Sequence, residues 1–107
     1  MELRHLRYFA AVAQYLNYSE ASRRLHVAQP AISQTVLDLE DELGVKLLLR
    51  TKRSVQLTAA GTAFLRETEE ILRRATEAQR LAQRASRGEV GTHRERTELY
   101  GHGNDAR

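Results

Sequence analysis

The chain has 107 residues, enough for one domain with an appended segment. Seventeen Lys and Arg residues against 14 Asp and Glu give a net charge of +3, and 41% of the residues are hydrophobic. The longest unbroken apolar run is Phe9 to Ala13, far short of the roughly 20 residues that cross a bilayer. Cysteine is absent, which excludes disulfides, thiolate catalysis and Cys-ligated zinc. We therefore expect a helix-rich cytoplasmic protein that does not contact membranes and that binds an anionic partner.

Helical periodicity begins near the N-terminus. Apolar residues recur at three- and four-residue steps, which predicts a first helix with one apolar face formed by Leu3, Leu6, Phe9, Ala10, Ala13 and Leu16. Asn17 is a suitable N-cap for a second, short helix from Tyr18 to about Leu25. Glu20 lies at the position that would complete a capping box with Asn17. Residues 26–28 then predict a tight connection.

A third helix is predicted from the only proline, Pro30, to Gly44. Proline suits the first helical turn because its missing N–H costs nothing there. Glycine suits the C-terminal end because it accepts a left-handed conformation. The apolar face of this helix contains Ile32, Val36, Leu39 and Leu43. The acidic bunch Asp38, Glu40, Asp41 and Glu42 is interpreted as a solvated face, since nothing nearby resembles a metal-binding loop.

After Gly44 the periodicity changes. Residues 45–50 and 54–58 are two short β-prone runs around the basic residues Arg50, Lys52 and Arg53, which predicts a cation-tipped hairpin. Thr58 is a suitable N-cap for a long helix over residues 59–88, which contain no proline. We therefore expect a first domain over residues 1–58, a long linker helix over 59–88, and a glycine-containing disordered tail over 89–107.

The long helix carries a stripe with seven-residue spacing, which is typical of a helix that pairs with another helix. The alternative, packing of the stripe on its own domain, is less favoured because a 58-residue domain is too short to cover a helix of ~45 Å. Dimers and tetramers both remain open. The residues predicted to form the contact are Phe64, Thr68, Ile71, Ala75, Ala78, Ala82 and Ala85.

Three helices followed by a basic hairpin predict a mainly α, winged helix-turn-helix architecture. In such a module the start of the third helix reads base edges in the major groove, and here it presents Gln29, Pro30, Ala31, Ser33 and Gln34. Glutamine pairs with adenine, serine with a base or a phosphate, and Ala31 could contact a thymine methyl. This face has no cation, so the phosphate contacts are assigned to Arg50, Lys52, Arg53, Arg23 and Arg24.

Residues 1–88 resemble the DNA-binding domain and linker helix of LysR-type transcriptional regulators. The resemblance rests on four runs in the family's order and spacing, residues 3–9, 21–33, 39–48 and 55–61. It implies a bacterial regulator that binds dyad-symmetric promoter DNA as a homodimer or a dimer of dimers. The family's base-reading positions fall on Gln29, Pro30, Ser33 and Gln34, and its wing contacts fall on Arg50 and Arg53.

The chain departs from the family's pattern at three positions. Gln34 stands where the family usually has arginine, which removes a guanine-reading group. Leu37 stands where a polar residue is common, and Ala28 lacks the hydroxyl that often caps the third helix. Residues 92–107 bear no resemblance to the family's effector domain, so a truncated gene, a fragment and a natural short form are all open, with truncation favoured.

No catalytic group, metal site or cofactor site is predicted, because the four histidines lack ligand spacing and Ser33 has no evident base nearby in sequence. RNA binding is disfavoured because the chain lacks a sheet with stacking aromatics. The main alternative is an interaction protein. Its linker helix would form a heterodimer with a full-length relative and inhibit that relative.

Overall fold

The computed structural model describes residues 1–88. It contains four helices and a two-stranded antiparallel sheet, and the predicted mainly α, winged helix-turn-helix fold is confirmed. The elements in chain order are α1 (Leu3–Tyr15), α2 (Tyr18–Leu25), α3 (Gln29–Leu43), β1 (Leu48–Arg50), β2 (Val55–Leu57) and α4 (Ala59–Ser86). The tail expected over residues 89–107 lies outside the described residues.

The core is built by the apolar faces of the first three helices and the start of the wing. Phe9, Ala21, Ile32 and Leu39 have no exposed surface, so each of α1, α2 and α3 contributes to one cluster. The periodicity of α1 predicted this face, except at its two ends. Leu3 lies in the first turn and remains exposed, and Leu16 caps the C-terminus of the helix in a left-handed conformation. Their positions at the ends of the helix explain their exposure.

Local sequence signals set the ends of α2 and α3. The Asn17 side chain accepts a hydrogen bond from the Glu20 backbone N–H at 2.8 Å, as expected of an N-cap. The Glu20 carboxylate does not complete the expected capping box, because it accepts hydrogen bonds from two arginines of α2 instead. Pro30 lies in the first turn of α3, Ala28 provides no side-chain cap, and Gly44 ends the helix at φ 75°.

The hairpin is shorter than predicted. Each strand has three residues, paired Leu48 with Leu57, Leu49 with Gln56 and Arg50 with Val55. Residues 45–47 do not extend the strand, because the Leu47 N–H that would complete the next pair with Thr58 donates to the Glu40 carboxylate instead. The Thr58 hydroxyl donates to the Lys46 carbonyl at 2.7 Å, and the Thr58 N–H donates to the Leu47 carbonyl at 3.0 Å.

Helix α4 begins in direct contact with the wing. The Thr58 hydroxyl accepts a hydrogen bond from the Gly61 N–H at 2.8 Å, which confirms Thr58 as the N-cap. A Cβ atom on Gly61 would lie 2.9 Å from the Leu47 carbonyl carbon and closer still to its oxygen. Glycine is therefore required for this close approach of helix and wing. Farther along, Phe64 packs on Phe9 with ring centroids 5.6 Å apart.

The chain divides into two compact units. The first comprises Met1–Leu72 and the second begins at Arg73. The first unit extends beyond the boundary expected at residue 58, because Phe64, Leu65 and Thr68 in α4 pack within it. In the second unit the described residues are helical to Ser86.

Candidate nucleic-acid interface

The N-terminal part of α3 presents a neutral, polar surface. Pro30, Ala31 and Gln34 are exposed, while Gln29 and Ser33 are half-buried. Gln29 accepts a hydrogen bond from the Ser19 hydroxyl of α2 at 3.2 Å, and Gln34 donates to Asp38 at 2.9 Å. These bonds restrict both amide groups and leave part of their donor and acceptor capacity available to a ligand.

Arg50 joins the wing to this surface. Its guanidinium lies 4.2 Å from the centroid of the Tyr18 ring and donates to the Ser33 hydroxyl at 3.2 Å. Stacking on an aromatic ring and a hydrogen bond both limit the rotation of an arginine side chain. Sequence reasoning assigned Arg50 to phosphates and Ser33 to bases as separate groups, whereas the structure brings them together. Burial raises the pKa of Tyr18, and the nearby Arg50 partly opposes that rise.

The tip of the wing holds two exposed cations. Lys52 and Arg53 both have high exposure, and within residues 1–88 neither has an acidic partner in ion-pair distance. The turn that carries them is shaped by Thr51, whose hydroxyl accepts hydrogen bonds from the backbone N–H groups of Arg53 and Ser54. The wing and the start of α3 line a polar cleft of about 190 Å³.

The two arginines of α2 are held by one carboxylate. Arg23 and Arg24 donate to opposite oxygens of Glu20 at 2.6 and 2.8 Å. Hydrogen bonds from Arg24 first, and then from Arg23, lower the pKa of the Glu20 carboxyl below its ordinary value. The Arg24 guanidinium also lies 5.1 Å from the Tyr15 ring centroid. Both arginines are exposed, but Glu20 offsets part of their charge.

Glu40 is the residue whose role sequence reasoning missed. The acidic bunch of α3 was interpreted as solvated, and for Glu40 this is wrong because the residue is only 6% exposed. Its carboxylate accepts hydrogen bonds from the backbone N–H groups of Leu47 and Leu48 at 2.7 and 3.1 Å. Lys46 lies 3.9 Å from its other oxygen. Glu40 thereby fixes the first strand of the wing to α3. Its position four residues after the buried Val36 is the signal that could have identified it.

The residues of the predicted dimerisation stripe differ in exposure along α4. The Thr68 side chain is fully buried within the first compact unit, so it presents no surface to a partner helix in this structure. Phe64 is half-buried against Phe9, so part of its surface is already used inside the chain. Farther along the helix, Ile71 is 39% exposed. The remaining predicted positions Ala75, Ala78, Ala82 and Ala85 are exposed or half-buried.

Residues 1–88 contain neither a metal-binding cluster nor a bilayer-crossing helix. No group of three or more His, Cys, Asp or Glu side chains is arranged to hold a metal ion in that range. Over the same residues, no helix combines the length and the apolar character that a bilayer-crossing segment requires.

The fold and this surface define a winged helix-turn-helix module, and sequence comparison identifies its family. Residues 3–62 match the family described as bacterial regulatory helix-turn-helix protein, lysR family. The chain is 53% identical over 91 residues to the transcriptional regulator AlsR of Bacillus subtilis (strain 168). The matched region covers 85% of this chain and 30% of AlsR. It is 55% identical over 78 residues to the Hca operon transcriptional activator HcaR of Escherichia coli (strain K12), covering 73% of this chain and 26% of HcaR.

Solved structures agree with this assignment. The CbnR DBD in a crystal structure with DNA is 45% identical, with a TM-score of 0.76 over 80% of this chain and 99% of that chain. The BenM DBD bound to catB site 1 DNA is 37% identical, with a TM-score of 0.78 over 80% of this chain and 97% of that chain. The chain belongs to the LysR family of bacterial helix-turn-helix regulators. It spans about a third or less of the length of the curated relatives named above, which are transcriptional regulators.

Proposed function

We propose that this chain binds double-stranded DNA in a sequence-specific manner and regulates transcription of bacterial genes in the cytoplasm. The observation that carries the proposal is the contact of Arg50 with both Tyr18 and Ser33. This contact joins the start of α3 and the base of the wing into one continuous surface. The similarity to the CbnR and BenM domains, whose structures contain DNA, supports the same use of the surface.

In this proposal the start of α3 enters the major groove and reads base edges, while the wing and α2 contact phosphates. The base-reading residues are Gln29, Pro30, Ala31, Ser33 and Gln34. The phosphate-contacting residues are Arg50, Lys52, Arg53, Arg23 and Arg24. The two groups of residues are distinct in charge, so their effects on binding are separable by experiment.

The charge distribution favours this division of roles. Helix α3 contains four acidic residues and no Lys or Arg, so it has no charge attraction of its own for the DNA backbone. Phosphate contacts supply most of the sequence-independent affinity of DNA-binding proteins. The unpaired cations at the wing tip are the groups best placed to supply that affinity here.

We further propose that two copies pair through α4 to bind a dyad-symmetric site. The exposed side chain of Ile71, followed at seven-residue intervals by Ala78 and Ala85, supports this pairing. The first compact unit covers residues 1–72, with the predicted pairing helix continuing beyond it as a separate segment. Pairing with a longer relative uses the same stripe, so it is the alternative that the test of DNA binding must distinguish.

Selection of duplexes from a random library by the purified chain tests DNA binding. We expect recovery of a motif with two half-sites about one helical turn apart. Gln29→Ala or Ser33→Ala is expected to weaken binding to that motif by about 1–3 kcal/mol and to leave non-specific binding unchanged. Gln79→Ala, which alters an exposed glutamine of α4, is the matched control. Folded protein that pairs but recovers no motif would contradict the proposal and favour the inhibitory partner.

Sedimentation tests the dimer. Ile71→Asp together with Ala78→Asp is expected to give a monomer, because two carboxylates then face the partner helix. Gln79→Asp with Gln83→Asp adds the same charge to exposed positions that lie about 80° and about 120° around the helix from Ile71, and it should leave the dimer intact. Phe64 is unsuitable for this test because its substitution also removes the contact with Phe9. A dimer that persists in the first variant would refute the role of the stripe.

A further inference from the structure

Leu37 is an exposed leucine on the face of α3 that is proposed to read DNA. It is 44% exposed, although it lies in the middle of a helix whose other large apolar residues are buried or half-buried. Residues three, four and seven positions apart share one face of an α-helix. Pro30, Ser33, Gln34 and Leu37 have this spacing, so Leu37 continues the row of proposed base-reading residues toward the C-terminus of α3.

The surroundings of Leu37 place it beside the residues that join α3 to the wing. Leu37, Ser33 and Arg50 line the same surface cleft of about 310 Å³. The helix rises 1.5 Å per residue, so Leu37 lies about 4.5 Å beyond Gln34 along the axis. This distance is close to the roughly 3.4 Å step between successive bases of one strand. A helix docked through Gln34 therefore brings Leu37 opposite a base pair one or two steps farther on.

The major groove offers one apolar group to such a side chain. Its base edges present hydrogen-bond donors and acceptors, and only thymine adds a methyl group at C5. A leucine has neither donor nor acceptor, and it lowers its free energy by covering apolar surface. Resting on the proposed DNA-binding function, we propose that Leu37 is a specificity-determining residue that contacts a thymine C5-methyl group in each half-site.

Replacement of thymine by deoxyuridine tests this contact, since it removes the methyl group and retains the hydrogen-bonding groups of the base. The probe is the duplex recovered by selection, with thymines replaced one position at a time in both half-sites. For the unmodified chain we expect about fourfold weaker binding for each contacted methyl group that is removed. The position at which deoxyuridine weakens binding should lie within one or two base pairs of the position at which Gln34→Ala loses base preference.

Two leucine variants assign the effect. In Leu37→Ala the affinities for thymine and deoxyuridine duplexes should become equal at the sensitive position. Leu49→Ala alters another exposed leucine that lines the same cleft but lies on β1, and it should retain the fourfold difference. A difference that persists in Leu37→Ala, or that Leu49→Ala also abolishes, would overturn the assignment. Equal binding of both duplexes by the unmodified chain would refute the Leu37 contact alone, whereas failure to select any site would refute the proposed function.

Discussion

Substitution of Gly61 by alanine has two opposing effects on the stability of the protein, a gain in helix propensity and a steric cost. In an exposed helix the change would stabilise the protein by about 1 kcal/mol, because alanine has the higher helix propensity. At this position the new Cβ would press against the Leu47 carbonyl group and lie 3.1 Å from the Leu57 side chain. The first contact is with backbone, which cannot rotate away as a flexible side chain does.

The expected net effect is destabilisation. Overpacking costs about 1–3 kcal/mol. Displacing the Leu47 carbonyl also weakens the hydrogen bond that it accepts from Thr58, which contributes about 1 kcal/mol. After the gain in helix propensity, we expect Gly61→Ala to lower the free energy of unfolding by about 2 kcal/mol. For a compact unit of this size, that lowers the Tm by roughly 10 °C.

Urea unfolding followed by circular dichroism measures this change. Thr62→Ala is the matched control, because Thr62 is the next residue of the same helix and is exposed. Its effect should stay within about 0.5 kcal/mol of zero. A Gly61→Ala protein as stable as the unmodified chain, or more stable, would show that α4 does not press on the residues preceding β1.

Two further predictions concern charge. Arg53→Ala should weaken binding to all DNA sequences and reduce the magnitude of the negative slope of log affinity against log salt by about 1. Fluorescence anisotropy at several salt concentrations measures this slope. An unchanged slope would exclude a phosphate contact by Arg53. NMR titration should place the Glu20 carboxyl midpoint below the ordinary value of 4.5. Because the pKa of Glu20 is lowered in the folded state, the stability that Glu20 contributes is present above pH 4.5 and is lost as the pH falls below that value. A titration midpoint at or above 4.5 would refute the contacts of Glu20 with Arg23 and Arg24.

The sequence predicted features that depend on neighbouring residues. Asn17, Pro30, Gly44 and Thr58 act within a few positions of the helix ends that they define, so their roles follow from local spacing. The predicted strands are longer than those in the structure, because the hairpin ends where the Leu47 N–H bonds to Glu40 rather than to Thr58. That bond is made to a side chain of α3, which local periodicity does not specify.

The features of the candidate site that escaped prediction all depend on contacts between distant residues. Glu40 bonds to backbone groups seven and eight residues away, and Arg50 contacts Ser33 across 17 residues. Thr68 fits the seven-residue stripe yet is buried within the first unit. Periodicity identifies the face of a helix, but it does not identify what covers that face. The residue types of the proposed interface could therefore be predicted, whereas their mutual contacts could not.

The separation of charge along α3 and the wing has a consequence for kinetics. Exposed Asp41 lies near the C-terminal end of α3, about 18 Å along the axis from Gln29, while the wing tip and its cations line a cleft with Gln29. In the electric field of DNA, the protein experiences a torque that turns the cationic wing tip toward the phosphates before contact. Encounters would then begin wing-first, with α3 entering the groove afterwards. Ionic strength should consequently alter the rate of association more than the lifetime of the complex.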